Sequence, residues 1–426
     1  MRKTIFGCLG VAAVAFALQF TQADVQAGLF SPCDPCCDPC GEVCCNPCDD
    51  TWNCDPCDPV CGPKLGKWFL SGHMEAGFWA NAHGQVSEYE DGVFVPTSGN
   101  TAFLRNTPYT GAQINQVYIS TGRKVDGRRG LDVGGTVDFT WGSDAWLVQS
   151  GGLERDTVNA GTWRKGDYYS AFAQAYAEVA YGRWNVYAGK FAAPFRGDSY
   201  KSTENFFYTW APTSFIPPHT AGGAYATYKA SNSLTLIGGW VMPDEIGRSD
   251  KYNAILGGAV WAPSQRFNLR YTFATGSNWY AGNMLQGTTY DVFVQTLLAT
   301  VKLSSRLTNT FEWTLLNVNS GGASLGAAYG LNNEIIYRAS QNWAFGSRFG
   351  YFNATAATIE NFGYPMEAGG ALEWYTVSLG ANWTPNKWLV VKPEIRYDWT
   401  DPLAPMFKGG ASDHQFSGGM SAIVKF

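Results

Sequence analysis

The last eleven residues, Phe416 to Phe426, set the tightest limit on what this chain can become. Phe416, Gly418, Met420, Ala422, Val424 and Phe426 fall on one face of an extended segment, and Ser417, Gly419, Ser421 and Lys425 on the other. Only Ile423 breaks the period. An apolar face, a polar face and a terminal aromatic residue suit the closing strand of an outer-membrane barrel, in which apolar side chains look outward.

Alternating segments recur sixteen times, over 67–81, 111–124, 131–142, 169–181, 184–192, 220–230, 233–243, 253–262, 266–275, 288–303, 306–317, 329–339, 342–352, 372–384, 387–399 and 415–426. Short links such as Gly182-Arg183, Ser231-Asn232, Ser304-Ser305, Ser340-Gln341 and Pro385-Asn386 follow the even segments. Longer stretches, among them 82–110, 143–168, 193–219 and 353–371, follow the odd ones. A membrane barrel has this order, with short periplasmic turns and long outer loops. The expected fold is therefore all-β: a transmembrane antiparallel β-barrel of about 16 strands, with a Cys/Pro-rich irregular N-terminal extension. An even strand number puts both ends of the barrel on the periplasmic side.

The N-terminus divides off. Arg2-Lys3, an apolar run from Leu9 to Leu18 and small residues at Ala23 and Ala27 read as a signal peptide over 1–27. Cys8 precedes the apolar run, which is the wrong order for lipidation. Beyond the leader no stretch reaches the roughly 18 apolar residues of a membrane helix. Residues 28–66 are Cys- and Pro-rich, and 67–426 form the barrel. The ten remaining cysteines, Cys33, Cys36, Cys37, Cys40, Cys44, Cys45, Cys48, Cys54, Cys57 and Cys61, all lie in that extension, among seven acidic residues and no basic one between Ser31 and Pro63. Cys-x-x-Cys spacing can hold a soft metal, but in an exported segment disulfides within or between chains are the default. The extension is either a stapled periplasmic linker or a link to a cell-envelope partner.

Within each segment the charges keep to one face. Leu389, Val391, Pro393, Ile395, Tyr397 and Trp399 oppose Lys392, Glu394, Arg396 and Asp398; Phe267, Leu269, Tyr271 and Phe273 oppose Arg266 and Arg270. A basic side chain in mid-bilayer lipid costs about 2–4 kcal/mol, so the charged face belongs inside. The expected inward set is Asp132, Asp138, Glu178, Arg266, Arg270, Glu312, Glu334, Arg338, Arg348, Lys392, Glu394, Arg396 and Asp398. Their signs are mixed, which sets up a transverse field without a strong ion preference. The same charges could equally stiffen the wall as salt bridges. Trp68, Trp141, Trp184, Trp313, Trp343, Trp388 and Trp399 sit near segment ends, as interfacial girdles require.

The stretch 193–219 carries Phe195, Phe206, Phe207 and Tyr208, more aromatic surface than a water-exposed loop tolerates. It is expected to fold into the bore as a constriction bordered by Arg196, Asp198, Lys201 and Glu204; the other reading is an outward loop that binds a partner. Replacing Arg196, Arg270, Arg348 or Arg396 with Glu is then expected to shift permeability toward cations.

Gly189-Lys190-Phe191, Pro194-Phe195, Asn205-Phe206-Phe207, and Pro217 with His219-Thr220, glycines and Tyr225 resemble the OmpL-like beta-barrel porin-2 family of outer-membrane proteins. The resemblance runs from about residue 67 to the end and implies a passive outer-membrane channel. It does not cover the cysteine-rich extension.

No cofactor is expected. No Gly-x-Ser-x-Gly elbow accompanies His73, His83, His219 and His414, so catalysis is not expected either. A formal charge of -5 argues against nucleic acid as a partner. The reading is a porin for ions and small hydrophilic solutes, surrounded by outer-membrane lipid. The alternative is a structural envelope protein anchored by the barrel and cross-linked through the cysteines. A soluble all-β surface domain would be extracted without detergent, and the sequence is silent on whether a barrel would form a homotrimer.

Overall fold

The computed structural model describes residues 67–83, 88–90, 93–95, 111–155, 161–216, 218–246, 253–277, 290–355, 372–402, 405, 407–408 and 411–426. The signal-peptide reading, the 28–66 extension and all ten of its cysteines lie outside the described residues.

Sixteen strands make the wall. They are β1 (Trp68–Asn81), β2 (Gly111–Arg123), β3 (Asp132–Gly142), β4 (Tyr168–Tyr181), β5 (Trp184–Ala192), β6 (Thr220–Lys229), β7 (Leu234–Pro243) and β8 (Asn253–Ser264), followed by β9 (Phe267–Ser277), β10 (Asp291–Lys302), β11 (Leu307–Ser320), β12 (Ala323–Arg338), β13 (Trp343–Ala354), β14 (Leu372–Asn386), β15 (Leu389–Thr400) and β16 (His414–Lys425). Each pairs antiparallel with its neighbour in sequence, and β16 returns to β1 with His73 opposite Lys425 and Asn81 opposite Ser417. The barrel is closed, so every strand has a partner on both sides and no edge is left in the bilayer. The terminal residue takes part in the closure. Phe426 exchanges two 2.9 Å backbone hydrogen bonds with Gly72, and its ring lies where a Cβ on Gly72 would stand.

Sidedness follows the sequence period. Ile395 is 49% exposed on the outside of the isolated barrel while the adjacent Arg396 is 1% exposed on the inside. On β16, Phe416, Met420 and Val424 face out, and Ser417 and Ser421 are buried inward. Ile423, the residue out of phase, is buried on the inner side too.

The turns after even strands are short, as at Gly182-Arg183 and 387–388. The odd connections are long with one exception, which corrects the expected strict alternation. β11 and β12 are joined only by Gly321-Gly322, with φ of +55° and +84° and Ser320 opposite Ala323. Two left-handed residues make the turn whose twist matches a hairpin, a conformation glycine adopts freely. The turn carries β12 back to Ala323, six residues before the start expected from sequence. The run Ala323-Ser324-Leu325-Gly326-Ala327-Ala328 has too little side-chain contrast to read as a strand; the register of the hairpin imposes it.

Ile395→Arg would place a guanidinium on the lipid side of β15. It is expected to lower the stability of the folded barrel by about 2–4 kcal/mol, measured by denaturant unfolding in lipid vesicles, whereas Ile395→Leu is expected to change it little.

Candidate functional site

Loop 3, residues 193–219 between β5 and β6, turns into the bore. Its own sequence shapes it. Asn205 closes one turn by accepting from Ser199 N at 2.7 Å and donating to Ser199 O at 2.7 Å. Asp198 closes another, accepting from Ala211 N at 2.6 Å and Ser214 Oγ at 2.9 Å. Pro212 opens a 3-10 turn over Pro212–Phe215, where its missing N–H costs nothing. Phe195, Phe207, Tyr208, Trp210 and Phe215 are all buried.

A buried backbone must find partners for its N–H and C=O groups, and the wall supplies them. The hydroxyls of Thr272 and Thr296 donate to the carbonyls of Pro194 and Phe195, both at 2.7 Å, and Arg270 donates to the carbonyl of Arg196. Glu312 accepts from Gly197 N at 2.9 Å and Thr213 Oγ1 at 2.7 Å. The middle of the loop is held most tightly. Glu394 accepts from Thr209 N at 2.8 Å and Thr209 Oγ1 at 2.6 Å. Arg348 donates to Thr209 O at 2.8 Å and lies 3.1 Å from Glu394, and Arg396 donates to Trp210 O at 3.0 Å while paired with Asp398 at 2.9 Å. Lys392 donates to the carbonyls of Ser202 and Asn205. On the far wall, Gln116 donates to Tyr200 O at 2.5 Å, and Lys201 lies 3.3 Å from Asp138.

The rings of the loop rest on glycines. A Cβ at Gly346 would strike Phe206, one at Gly350 would stand 2.6 Å from Pro212, and one at Gly380 would stand 3.1 Å from Phe207. These wall positions have to lack side chains for the loop to come so close.

The sequence-derived inward residues thus fall into groups. Arg270, Glu312, Arg348, Lys392, Glu394 and Arg396 hold loop 3, with Asp398 supporting Arg396. Asp138 accepts from Ser120 and, at 2.8 Å, from Gln174. Glu334 lies 3.7 Å from Arg348, and Glu178 accepts from Asn185 at 2.6 Å. Arg266 and Arg338 are exposed at the turn ends of β9 and β12. Asp132 closes a rim cluster with Lys67 and Arg123, each at 2.7 Å. In loop 3, Arg196 and Asp198 are buried, Lys201 is half-buried and Glu204 is exposed.

Sequence reasoning missed the uncharged anchors Asn115, Gln116 and Thr296. The first two both face inward because a bulge between Glu75 and Ala76's partners breaks the period on β2. It also missed loop 2, the connection 143–167 between β3 and β4, whose Glu154 pairs at 2.8 Å with Lys190 of β5, both side chains buried. The signal that was available is the inward Gly346 and Gly350 opposite an aromatic loop.

Ser202 Oγ stands 3.1 Å from His73 Nε2, the spacing of a nucleophile and a base. Nε2 is also 2.7 Å from the amide oxygen of Gln116, an arrangement in which it carries the proton and has no lone pair to offer. Both are buried, His73 on β1 and Ser202 in loop 3 itself.

A family model described as "Putative beta-barrel porin-2, OmpL-like" matches residues 69–426. The chain belongs to this family. As an OmpL-like porin-2 protein it is an outer-membrane β-barrel of porin type. Among curated proteins none matches its sequence. The anion-selective porin from Comamonas acidovorans superposes with a TM-score of 0.56 at 10% identity, covering 84% of this chain and 99% of that one. OmpF of Salmonella typhi, in complex with daunomycin, gives 0.53 at 10% identity over 84% and 97%. The trimer form of OmpT from Vibrio cholerae gives 0.50 at 10% identity over 84% and 99%. At such identity the likeness is one of fold.

Arg348→Ala is expected to cost about 3–5 kcal/mol by leaving Glu394 buried without its cation. Arg348→Ala combined with Glu394→Leu is expected to recover part of that loss, as measured by guanidinium unfolding of the folded barrel in detergent.

Proposed function

We propose that this OmpL-like porin-2 protein is a passive channel for ions and small hydrophilic solutes, with loop 3 as its constriction. The observation that carries the reading is the inward fold of residues 193–219 across a barrel of sixteen strands. A wall that wide cannot fill its interior with its own side chains, and a loop secured at mid-height narrows the bore without sealing it by packing. Solutes pass the exposed side of the loop, where Glu204 is the charge that meets water and Lys201 is offset by Asp138. The buried arginines act on the loop, so charge reversal at Arg348 or Arg396 undocks it before it alters selectivity. No catalytic role enters this reading, since the contact of the Ser202 hydroxyl with the His73 ring is buried and its nitrogen committed.

The protein works as a homotrimer in this reading. On the outer face of β4–β8 small residues meet in register, Ala177 beside Ala188 beside Ala224 and Ala226 beside Gly238 beside Gly257, between the larger Val186, Leu236, Trp240 and Ile255. The outer face of β13–β15 instead carries Tyr351 beside Tyr375 beside Trp399. Small residues allow close approach of protein to protein within a membrane, and large aromatic ones suit lipid. The trimer form of the Vibrio cholerae protein is consistent with such an assembly.

A second reading rests on the ten cysteines of the extension. In it the 28–66 segment lies in the periplasm and cross-links the protein to an envelope partner, with the barrel as anchor.

Purified protein in a planar bilayer is expected to give discrete conductance steps, and Glu204→Lys to move the reversal potential toward anion preference. Absence of steps, together with native ladders that collapse on reduction, favours the anchor. Ala226→Trp is expected to convert trimers to monomers in detergent by analytical ultracentrifugation.

A further inference from the structure

The end of the barrel that carries the short turns is basic all the way round. Each of the seven turns contains or adjoins an exposed lysine or arginine, from Lys124 after β2 to Lys387 after β14. The carboxylates described at this end are Asp126 and Asp132. Both are paired, Asp126 with Arg128 and Asp132 with Lys67 and Arg123, each at 2.7 Å. Glu178 and Glu334 lie deeper; the first accepts from Asn185 at 2.6 Å and the second is 3.7 Å from Arg348. Among the described residues the opposite end shows no such excess, since Asp291, Glu373, Asp401 and Asp413 stand there with Arg164 and Lys165.

The strand period puts part of this charge on the bore side of the wall. Lys302 of β10 is in phase with Thr296 and Leu298, Arg338 of β12 with Asn332, and Lys425 of β16 with Ser421 and Ile423, all buried on the inner face. Lys229 alternates with Tyr228, which pairs with the outward Leu236 of β7. Lys229, Lys302 and Arg338 are exposed and Lys425 is half-buried. A cation on the outer face of the rim meets lipid phosphates, whereas one on an inner-face position meets the water of the mouth. The anion that these positions suit is therefore one in solution.

One polyanion is attached at this mouth. β1 begins there at Trp68, and the sequence shortly before it, from Ser31 to Pro63, holds seven acidic residues and no basic one. These residues lie outside the described ones; their charge is a property of the sequence. Fully extended, such a length of chain reaches roughly 110 Å, against a mouth roughly 30 Å across for a closed wall of strands spaced about 4.8 Å apart and tilted. A tethered segment is present at a millimolar effective concentration, so exposed ion pairs that are weak one by one suffice to hold it.

We propose that the acidic segment 31–63 docks on the basic mouth of its own barrel, across the end of the bore that carries the short turns. Its carboxylates meet lysines and arginines on inner-face positions, in contact with water, so the docking weakens as salt rises. Under the channel reading the same segment competes with anionic solutes for the mouth. The docking itself does not rest on that reading, because the charges are in place whether or not ions pass.

The test is acetylation of the full chain in phosphatidylcholine nanodiscs, which leave both ends open, with reaction at each lysine followed by mass spectrometry. The unaltered protein is compared with a variant carrying Asp34→Asn, Asp38→Asn, Glu42→Gln, Asp49→Asn, Asp50→Asn, Asp55→Asn and Asp58→Asn. At low salt Lys229, Lys302 and Lys425 are expected to react about tenfold more slowly in the unaltered protein, the occupancy that a millimolar tether gives a weak site. At about 1 M salt, where the screening length is about 3 Å, the difference is expected to vanish. Exposed Lys165 at the outer end and buried Lys392 are the controls for reactivity and folding, and both are expected to match in the two proteins. Equal reaction of the three mouth lysines in the two proteins at low salt overturns the proposal. Protection that follows added phosphatidylglycerol and not the seven carboxylates also overturns it, and assigns the mouth to lipid. Carbodiimide coupling in protein assembled from isotope-labelled and unlabelled chains is expected to join the segment to Lys229 or Lys302 of the same chain; couplings found only between chains overturn docking on its own barrel. A protein that passes these tests yet conducts no ions sinks the channel reading alone.

Discussion

The structure depends on one requirement: a peptide segment buried inside a barrel must find a partner for each of its backbone polar groups. Loop 3 brings a run of carbonyls and amides into the bore; its own Asn205 and Asp198 answer some, and the inner wall answers others by type. Arg270, Arg348, Lys392 and Arg396 meet carbonyls; Glu312 and Glu394 meet amides and hydroxyls. The wall charges are therefore mixed in sign because the loop backbone presents both donors and acceptors. Charge-assisted hydrogen bonds are roughly twice as strong as neutral ones, which lets few contacts hold a segment with no regular secondary structure of its own beyond two short turns.

The wall was legible in the sequence because its signal is repeated and has a fixed period. Each strand is short and weak as evidence, but sixteen of them share the same inside and outside, and the penalty for misplacing one arginine is several times thermal energy. The hairpin at Gly321-Gly322 escaped because Ala323 to Ala328 carries no contrast between faces. Asn115 and Gln116 escaped because a bulge places neighbours on the same side, which no strict alternation can express.

The candidate site was legible only in part. That loop 3 turns inward follows from its aromatic content, and that Arg348 and Arg396 face inward follows from the period. Their commitment to Thr209 O and Trp210 O does not, because backbone groups have no identity in a sequence. An inward arginine reads the same whether it meets water or a carbonyl. The glycines at 346, 350 and 380 carry the missing information, since an inner wall that faces only water has no need of positions without side chains.

The two sides of loop 3 are held by different chemistry, and this determines how it can move. On the β13–β15 side Arg348, Glu394, Arg396 and Asp398 are almost fully buried, where salt screens little and mild acid leaves the guanidinium charges in place. On the β1–β3 side the holding groups are His73, Gln116 and the pair of half-buried Lys201 with buried Asp138, and Lys392 of β15 reaches the same segment at Ser202 O. Of these, the Lys201 ammonium is partly open to solvent, where salt screens an ion pair most. A disturbance from solvent therefore reaches Lys201 more readily than it reaches Thr209 and Trp210, whose partners are buried. Glu204, the exposed carboxylate of the loop, lies three residues from Lys201 on that same solvent-facing part, away from the buried anchors at Thr209 and Trp210.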